Sequence, residues 1–107
     1  MIPLDDILIY SGVLFAVGVF GVLTRRNFIL LLVSIEIIMN AAILNFIAFA
    51  VYSPNSMFPE IGVTGQSIAV VLIGLAATEV AVGLAIVLAL NRIIGSVNVS
   101  QAMELKL

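Results

Sequence analysis

Two glutamates are the residues of this sequence whose type and position could do chemistry. Glu36 lies in the apolar run 28–52 and Glu79 in the run 67–90, and each is the only charged residue of its run. A carboxylate in the middle of a lipid-spanning helix is costly and by default marks a functional site. Burial disfavours the charged form, so such a carboxyl can exchange a proton near neutral pH. Relays of Asp and Glu carry protons through membrane pumps and transporters.

A structural role is the alternative for each carboxyl. Intramembrane polar groups also hydrogen-bond between helices and hold them together. We favour the relay because two acids occur at similar depth and neither apolar run contains a Lys or Arg that could pair with them. Replacing Glu36 and Glu79 separately by Gln would separate a proton path from a purely structural assembly subunit.

The composition is that of an integral membrane protein. Of the 107 residues, 64% are hydrophobic and 9% are charged, and the mean hydropathy is +1.35. Soluble domains are nearer half apolar and a quarter charged. With four Lys and Arg in total there is no basic patch for nucleic acid, so the lipid bilayer is the expected surrounding. The absence of Cys and His excludes iron–sulfur ligation, imidazole-ligated haem and most zinc sites.

The apolar runs predict an all-α membrane protein that forms a single integral membrane domain over residues 1–107. Runs of about 20 apolar residues without alternating polarity are typical of transmembrane helices rather than barrel strands. The three predicted spans cover residues 7–23, 28–52 and 67–90. Pro54, Pro59, Gly62 and Gly65 punctuate 53–66, which is expected to be a loop. The tail, 91–107, is more polar and is left without secondary structure.

The basic residues predict the orientation. Arg25 and Arg26 join the first two spans and Arg92 follows the third, whereas the opposite side carries only acidic residues. By the positive-inside rule the amino terminus lies outside and the carboxyl terminus in the cytoplasm, in a prokaryotic cell membrane. The arginines are therefore read as topology determinants, with electrostatic coupling to an acid or lipid as the alternative.

Helix geometry predicts where the acids lie and what surrounds them. At a rise of 1.5 Å per residue, Glu36 lies about 12 Å and Glu79 about 17 Å from the cytoplasmic ends of their runs, a difference of about 5 Å. Asn40 lies one turn beyond Glu36 on the same face and could hydrogen-bond it or a partner, and an interhelical hydrogen bond is the favoured reading. Asn27 is a candidate N-cap for the second span. Asn45 points elsewhere, and an interhelical hydrogen bond is the favoured reading for it.

Four segments carry a resemblance to a known family. They are MIPL at 1–4, LFAVGVFGVLTRRN at 14–27, SIEIIMNAAILNFIAF at 34–49 and AATEVAVGLAIVLAL at 76–90. The sequence resembles the K subunit of proton-pumping NADH:quinone oxidoreductase, respiratory complex I, which is called subunit 4L in mitochondria. The resemblance covers most of the chain in register and leaves the tail unmatched.

The resemblance implies a function for the glutamates and partners for the chain. The family has three transmembrane helices with the amino terminus outside, and its two intramembrane glutamates, in the central hydrophilic axis, align with Glu36 and Glu79. Its paired arginines align with Arg25 and Arg26. Flavin, iron–sulfur clusters and the quinone site belong to other subunits. The chain would then bind no cofactor and hold no catalytic centre, beside antiporter-like and other small membrane subunits.

Related machines share this type of subunit and remain alternatives. K-type subunits also occur in coenzyme-F420-, ferredoxin- and hydrogenase-linked complexes. The C subunit of multisubunit sodium/proton antiporters is the main rival, and Arg25 and Arg26 together with both acids favour complex I over it. A small multidrug exporter is disfavoured because that class usually has four helices and aromatic residues that stack on cations.

Overall fold

The computed structural model describes residues 1–52 and 60–104. Over these residues the chain forms four helices: α1 Leu4–Thr24, α2 Phe28–Val51, α3 Glu60–Ile94 and the short α4 Val99–Met103. The described part contains no strand, only an isolated bridge between Asn27 and Asn98. By length and composition, α1, α2 and α3 can each cross a membrane. The prediction of an all-α membrane protein with three transmembrane helices is confirmed.

The three long helices lie in a row with α2 in the middle. α1 packs along one side of α2 and α3 along another, and the principal extents of the molecule are 59 × 23 × 19 Å. At most 17% of the residues in any of the three apolar windows are buried within the chain. Because so much apolar side-chain surface stays open, the fold suits a surrounding of lipid or of other membrane subunits.

Glycines bring α1 close to α2. Gly18 lies against the backbone of Ser34, since a Cβ atom built on Gly18 would be 3.0 Å from the Ser34 carbonyl oxygen. A polar contact joins the same helices further along, where the buried Ser11 hydroxyl is within hydrogen-bonding distance of the Asn45 side-chain amide. This contact confirms the interhelical hydrogen bond predicted for Asn45. Small residues and one polar pair thus hold this hairpin together.

Aliphatic and small side chains form the contact between α2 and α3. Its buried centre consists of Ile43, Ala69 and Ala76, with Met39, Ile47 and Leu72 packed against it. Two close approaches lie on either side of this centre, at Ala50 with Gly65 and at Leu32 with Gly83. Because the helices run antiparallel, these contacts show which residues of α2 and α3 share a level.

The third helix is longer than its apolar run. The prediction that residues 60–66 belong to a loop is wrong, because α3 begins at Glu60. Gly65 is part of this helix, and its missing side chain permits the close approach to Ala50. The predicted loop's Pro54 and Pro59 lie outside the described residues. α1 also begins earlier than its run, and Asp5 and Asp6 in its first turn complement the helix dipole.

The tail folds back against the connection between α1 and α2. α3 continues to Ile94 and ends at Gly95, whose φ of +68° lies in the left-handed region that glycine tolerates best. Beyond it, the Phe28 amide donates to the Val97 carbonyl at 2.9 Å, and the Val99 amide donates to the Arg26 carbonyl at 2.7 Å. The sequence left this segment unassigned because non-local backbone pairing has no signature in a short polar stretch.

Candidate proton-translocation site

Glu36 is half-buried on the side of α2 that faces α3. It lines an apolar groove of about 220 Å³ between the two helices. The other lining residues are Ile29, Leu32, Val33, Ile37, Val80 and Leu84. A carboxyl among aliphatic side chains has few neighbours that can hydrogen-bond it.

Asn40 supplies one of those groups. Its side-chain Nδ2 donates to the Glu36 carboxyl Oε1 at 3.3 Å. The two residues are four positions apart on α2 and therefore lie on one face. Of the two partners that the sequence allowed, Asn40 thus bonds Glu36 of its own helix rather than a neighbouring helix. An amide that donates to one carboxyl oxygen orients the group and leaves the other oxygen able to accept a proton.

Glu79 is exposed at the edge of the contact between α2 and α3. Ala76, one turn before it, is 2% exposed in the core, and Gly83, one turn after it, packs against Leu32. In the described part of the chain, no hydrogen bond joins the Glu79 carboxyl to another side chain. Its carboxyl is therefore open to whatever lies beside α3.

The two carboxyls lie at the same level of the antiparallel helices. Glu36 follows Leu32 by four residues on α2, and Glu79 precedes its partner Gly83 by four residues on α3. The second close approach agrees, since Glu36 and Glu79 are each fourteen residues from Ala50 and Gly65 respectively. The expected offset of about 5 Å is thus wrong, because it was counted from the ends of the apolar runs rather than from the contacts between the helices.

The shared level of the two carboxyls is deep within both helices. Along α3, Glu79 is about 22 Å from Ile94 and about 28 Å from Glu60 at 1.5 Å per residue. Along α2, Glu36 is about 12 Å from Phe28 and about 22 Å from Val51. A carboxyl at such a depth needs a polar neighbour or a hydrated passage.

The arginines lie apart from the carboxyls along the helices. Arg25 and Arg26 are exposed after the end of α1, and Arg92 lies in the last turn of α3. The tail pairing brings these two places to one end of the molecule. The charge distribution that served to predict orientation is thus present in the fold, and the Arg26 carbonyl has a structural role of its own.

Two residues that form contacts between distant segments, Ser11 and Asn98, were not predicted from the sequence. Ser11 was an unremarked polar residue in the first apolar run, yet it is 1% exposed and faces Asn45. Ser11 is the only Ser, Thr, Asn or Gln in the run 7–23, and such a lone polar residue is a usable signal for a contact between helices. Asn98 in the tail was missed as well, and its pairing with Asn27 has no local sequence signal.

Comparison with known families decides the chain's relationships. Residues 6–106 match the family model of the NADH-ubiquinone/plastoquinone oxidoreductase chain 4L. The chain belongs to this family. The match takes in α2, α3, α4, all but the first two residues of α1, and both Glu36 and Glu79. The chain 4L resemblance therefore extends through the tail that the sequence motifs left unmatched.

Several bacterial relatives of the chain 4L family are similar over almost their whole length. NADH-quinone oxidoreductase subunit K 1 of Syntrophobacter fumaroxidans is 44% identical over 99% of both chains. Subunit K of Anaeromyxobacter dehalogenans is 42% identical over 96% of this chain and 97% of its own. Subunit K of Bacillus anthracis is 43% identical over 98% and 96% respectively. The whole chain, and not one segment of it, is therefore of this type.

Proposed function

We propose that this chain is a membrane-arm subunit of a proton-pumping NADH:quinone oxidoreductase and that Glu36 and Glu79 are part of its proton path. The observation that carries the proposal is the common level of the two carboxyls on neighbouring antiparallel helices, in a member of the chain 4L family. The bacterial relatives are named NADH-quinone oxidoreductase subunit K, which favours a subunit of this oxidoreductase over a subunit of a sodium/proton antiporter.

The proposed path uses the different surroundings of the two acids. Glu36 sits in the groove between α2 and α3, where Asn40 donates to one oxygen and the other can take a proton. Glu79, at the edge of the same contact, exchanges protons with groups on a neighbouring subunit. Both are separated from bulk water by several helical turns, so a proton that reaches one acid can pass to the other through a short water chain.

The remaining parts of the machine are assigned to other subunits. A chain without Cys or His has no ligands for iron–sulfur clusters or for imidazole-ligated haem. We assign flavin, iron–sulfur clusters and the quinone site to partner subunits, and to this chain a non-redox role with no catalytic centre of its own. Its neighbours are antiporter-like and other small membrane subunits of the complex.

The charge distribution supports an orientation in the cell membrane. Arg25, Arg26 and Arg92 gather at one end of the row, and Asp5 and Asp6 lie at the start of α1 at the other. By the positive-inside rule the arginine end faces the cytoplasm of a prokaryotic cell and the amino terminus lies outside. In this role the arginines act as topology determinants.

The test replaces each carboxyl by the amide of the same size in the assembled complex. E36Q and E79Q are each expected to lower the number of protons pumped per NADH oxidised in membrane vesicles, because an amide cannot exchange a proton at neutral pH. E104Q is the matched control, since Glu104 follows α4 outside the long helices. If E36Q and E79Q both assemble and pump at the wild-type rate, the chain has a structural role and the relay is wrong.

A further inference from the structure

Two backbone hydrogen bonds connect the start of α2 to the segment that follows α3. We call the pairing of residues 26–28 with residues 97–99 the tail clasp. In it the Phe28 amide donates to the Val97 carbonyl at 2.9 Å and the Val99 amide donates to the Arg26 carbonyl at 2.7 Å. Residues 27 and 98 form an antiparallel bridge between them. Because Gly95 turns the chain immediately after α3, the tail clasp ties the end of α3 to the start of α2.

The helix contact that the tail clasp flanks gives weak control over register. On α3 the residues of closest approach to α2 are small and recur along one face, at Gly65, Ala69, Ala76 and Gly83, and Leu72 packs among them. The small residues of this surface present similar packing to α2 after a shift by one helical turn, and Leu72 is the large side chain of the buried cluster that such a shift would move. In the described residues no side-chain hydrogen bond joins α2 to α3, whereas Ser11 and Asn45 provide one between α1 and α2. Register between α2 and α3 therefore needs another source.

We propose that the tail clasp sets the register of α3 against α2 and so holds Glu36 and Glu79 at one level. The amides of Phe28 and Val99 are positioning groups in this arrangement, far from the carboxyls along the helices. The effect on proton transfer rests on the function proposed above, but the effect on register does not. Backbone pairing suits this task because its donors and acceptors match at one alignment of the two segments only.

Proline substitution can remove each hydrogen bond with little other change. Val99 is the first residue of α4, and Asn98 before it has φ −87° and ψ 130°, the extended backbone that a following proline requires. V99P therefore removes the amide that bonds Arg26 and fits the local backbone. V99A is the matched control, since it shortens the side chain and keeps the amide. F28P is a second, independent variant, because Phe28 begins α2 and Asn27 is also extended.

Disulfide trapping reads the register directly. The chain contains no Cys, so any disulfide within it must form between the two introduced cysteines. The pair L32C/G83C reports the native register, since a Cβ atom on Gly83 would be 3.4 Å from the Leu32 Cγ. The pairs L32C/V80C and L32C/V87C report a shift of about one turn in either direction. Each pair is built into the wild type, V99P, F28P and V99A of the assembled complex, oxidised in membranes and quantified by peptide mass spectrometry.

The expected result is a change in the ratio of these cross-links. In V99P and F28P the yield of one shifted pair relative to L32C/G83C should rise about five-fold, the factor that loss of one backbone hydrogen bond represents. V99A should match the wild type. Unchanged ratios in both proline variants would overturn the proposal. Protons pumped per NADH are measured on the same clasp variants without the cysteines; a shifted register with normal pumping would count against the relay and leave the role of the clasp intact.

Discussion

Gly21 of α1 lies directly against Ser34 of α2. A Cβ atom on Gly21 would overlap the Ser34 hydroxyl and would lie 2.9 Å from the Ser34 Cβ. The hydroxyl is itself engaged, because it donates to the Leu30 carbonyl at 2.8 Å. Ser34 is buried, with 6% of its surface exposed, so neither its side chain nor its backbone can move away from Gly21 at low cost. We therefore expect that α1 and α2 can pack in this way only with glycine at position 21.

G21A should weaken the packing of α1 on α2. Overpacking of a close contact costs about 1–3 kcal/mol. The measurement is equilibrium unfolding of the purified chain in mixed detergent micelles. G12A is the control on the same helix, because nothing lies within 4 Å of a Cβ atom at Gly12. Equal stability of G21A and G12A would contradict the close approach of the two helices.

The contact between Ser11 and Asn45 should appear as a coupling energy. S11A, N45A and the double variant form a double-mutant cycle on the stability of the chain, and interhelical hydrogen bonds in membranes average about 0.6 kcal/mol by this method. We expect a coupling of about 0.5–1.5 kcal/mol because Ser11 is almost fully buried.

Thr78 provides the control for this cycle. Its hydroxyl donates to the Leu75 carbonyl of its own helix at 2.7 Å, so T78A combined with N45A should be additive. A coupling near zero between Ser11 and Asn45, or an equal coupling in both cycles, would show that the hydroxyl does not bond the amide in the membrane.

Asn27 caps α2 with its side chain. Its Oδ1 accepts from the Ile29 amide at 2.9 Å and from the Leu30 amide at 3.4 Å. N27A should destabilise the first turn of α2 by about 1 kcal/mol, whereas N27D keeps an acceptor and should lose much less. Hydrogen exchange of the Ile29 and Leu30 amides measures the effect. Unchanged exchange in N27A would mean that the backbone pairing with the tail, which this variant leaves intact, holds the turn alone.

Much of the fold could be predicted because each long helix carries its own signal. The apolar runs predict three spans, since a segment of that length in lipid must satisfy its backbone hydrogen bonds internally. The cap at Asn27 and the bond from Asn40 to Glu36 are local as well, with partners within four residues. Local geometry follows from residue spacing on a helix.

The ends of the helices were less predictable than their centres. Asp5 and Asp6 interrupt apolarity but stabilise a first turn, so α1 begins before its run. Gly62 and Gly65 indicated a loop, yet both lie within α3, and at Gly65 the close approach to Ala50 outweighs the helix-breaking tendency of glycine. Tertiary contact decided these boundaries.

By itself, the sequence determined that this is a three-helix membrane chain with two acids in its apolar spans, because hydrophobicity and charge act residue by residue in a bilayer. Only the tertiary structure decided that Glu36 and Glu79 share one level and that the tail pairs with the connection before α2. The register between two helices depends on which small side chains allow close approach and on hydrogen bonds between backbone groups distant in sequence. Neither can be predicted from the residue pattern of one helix alone.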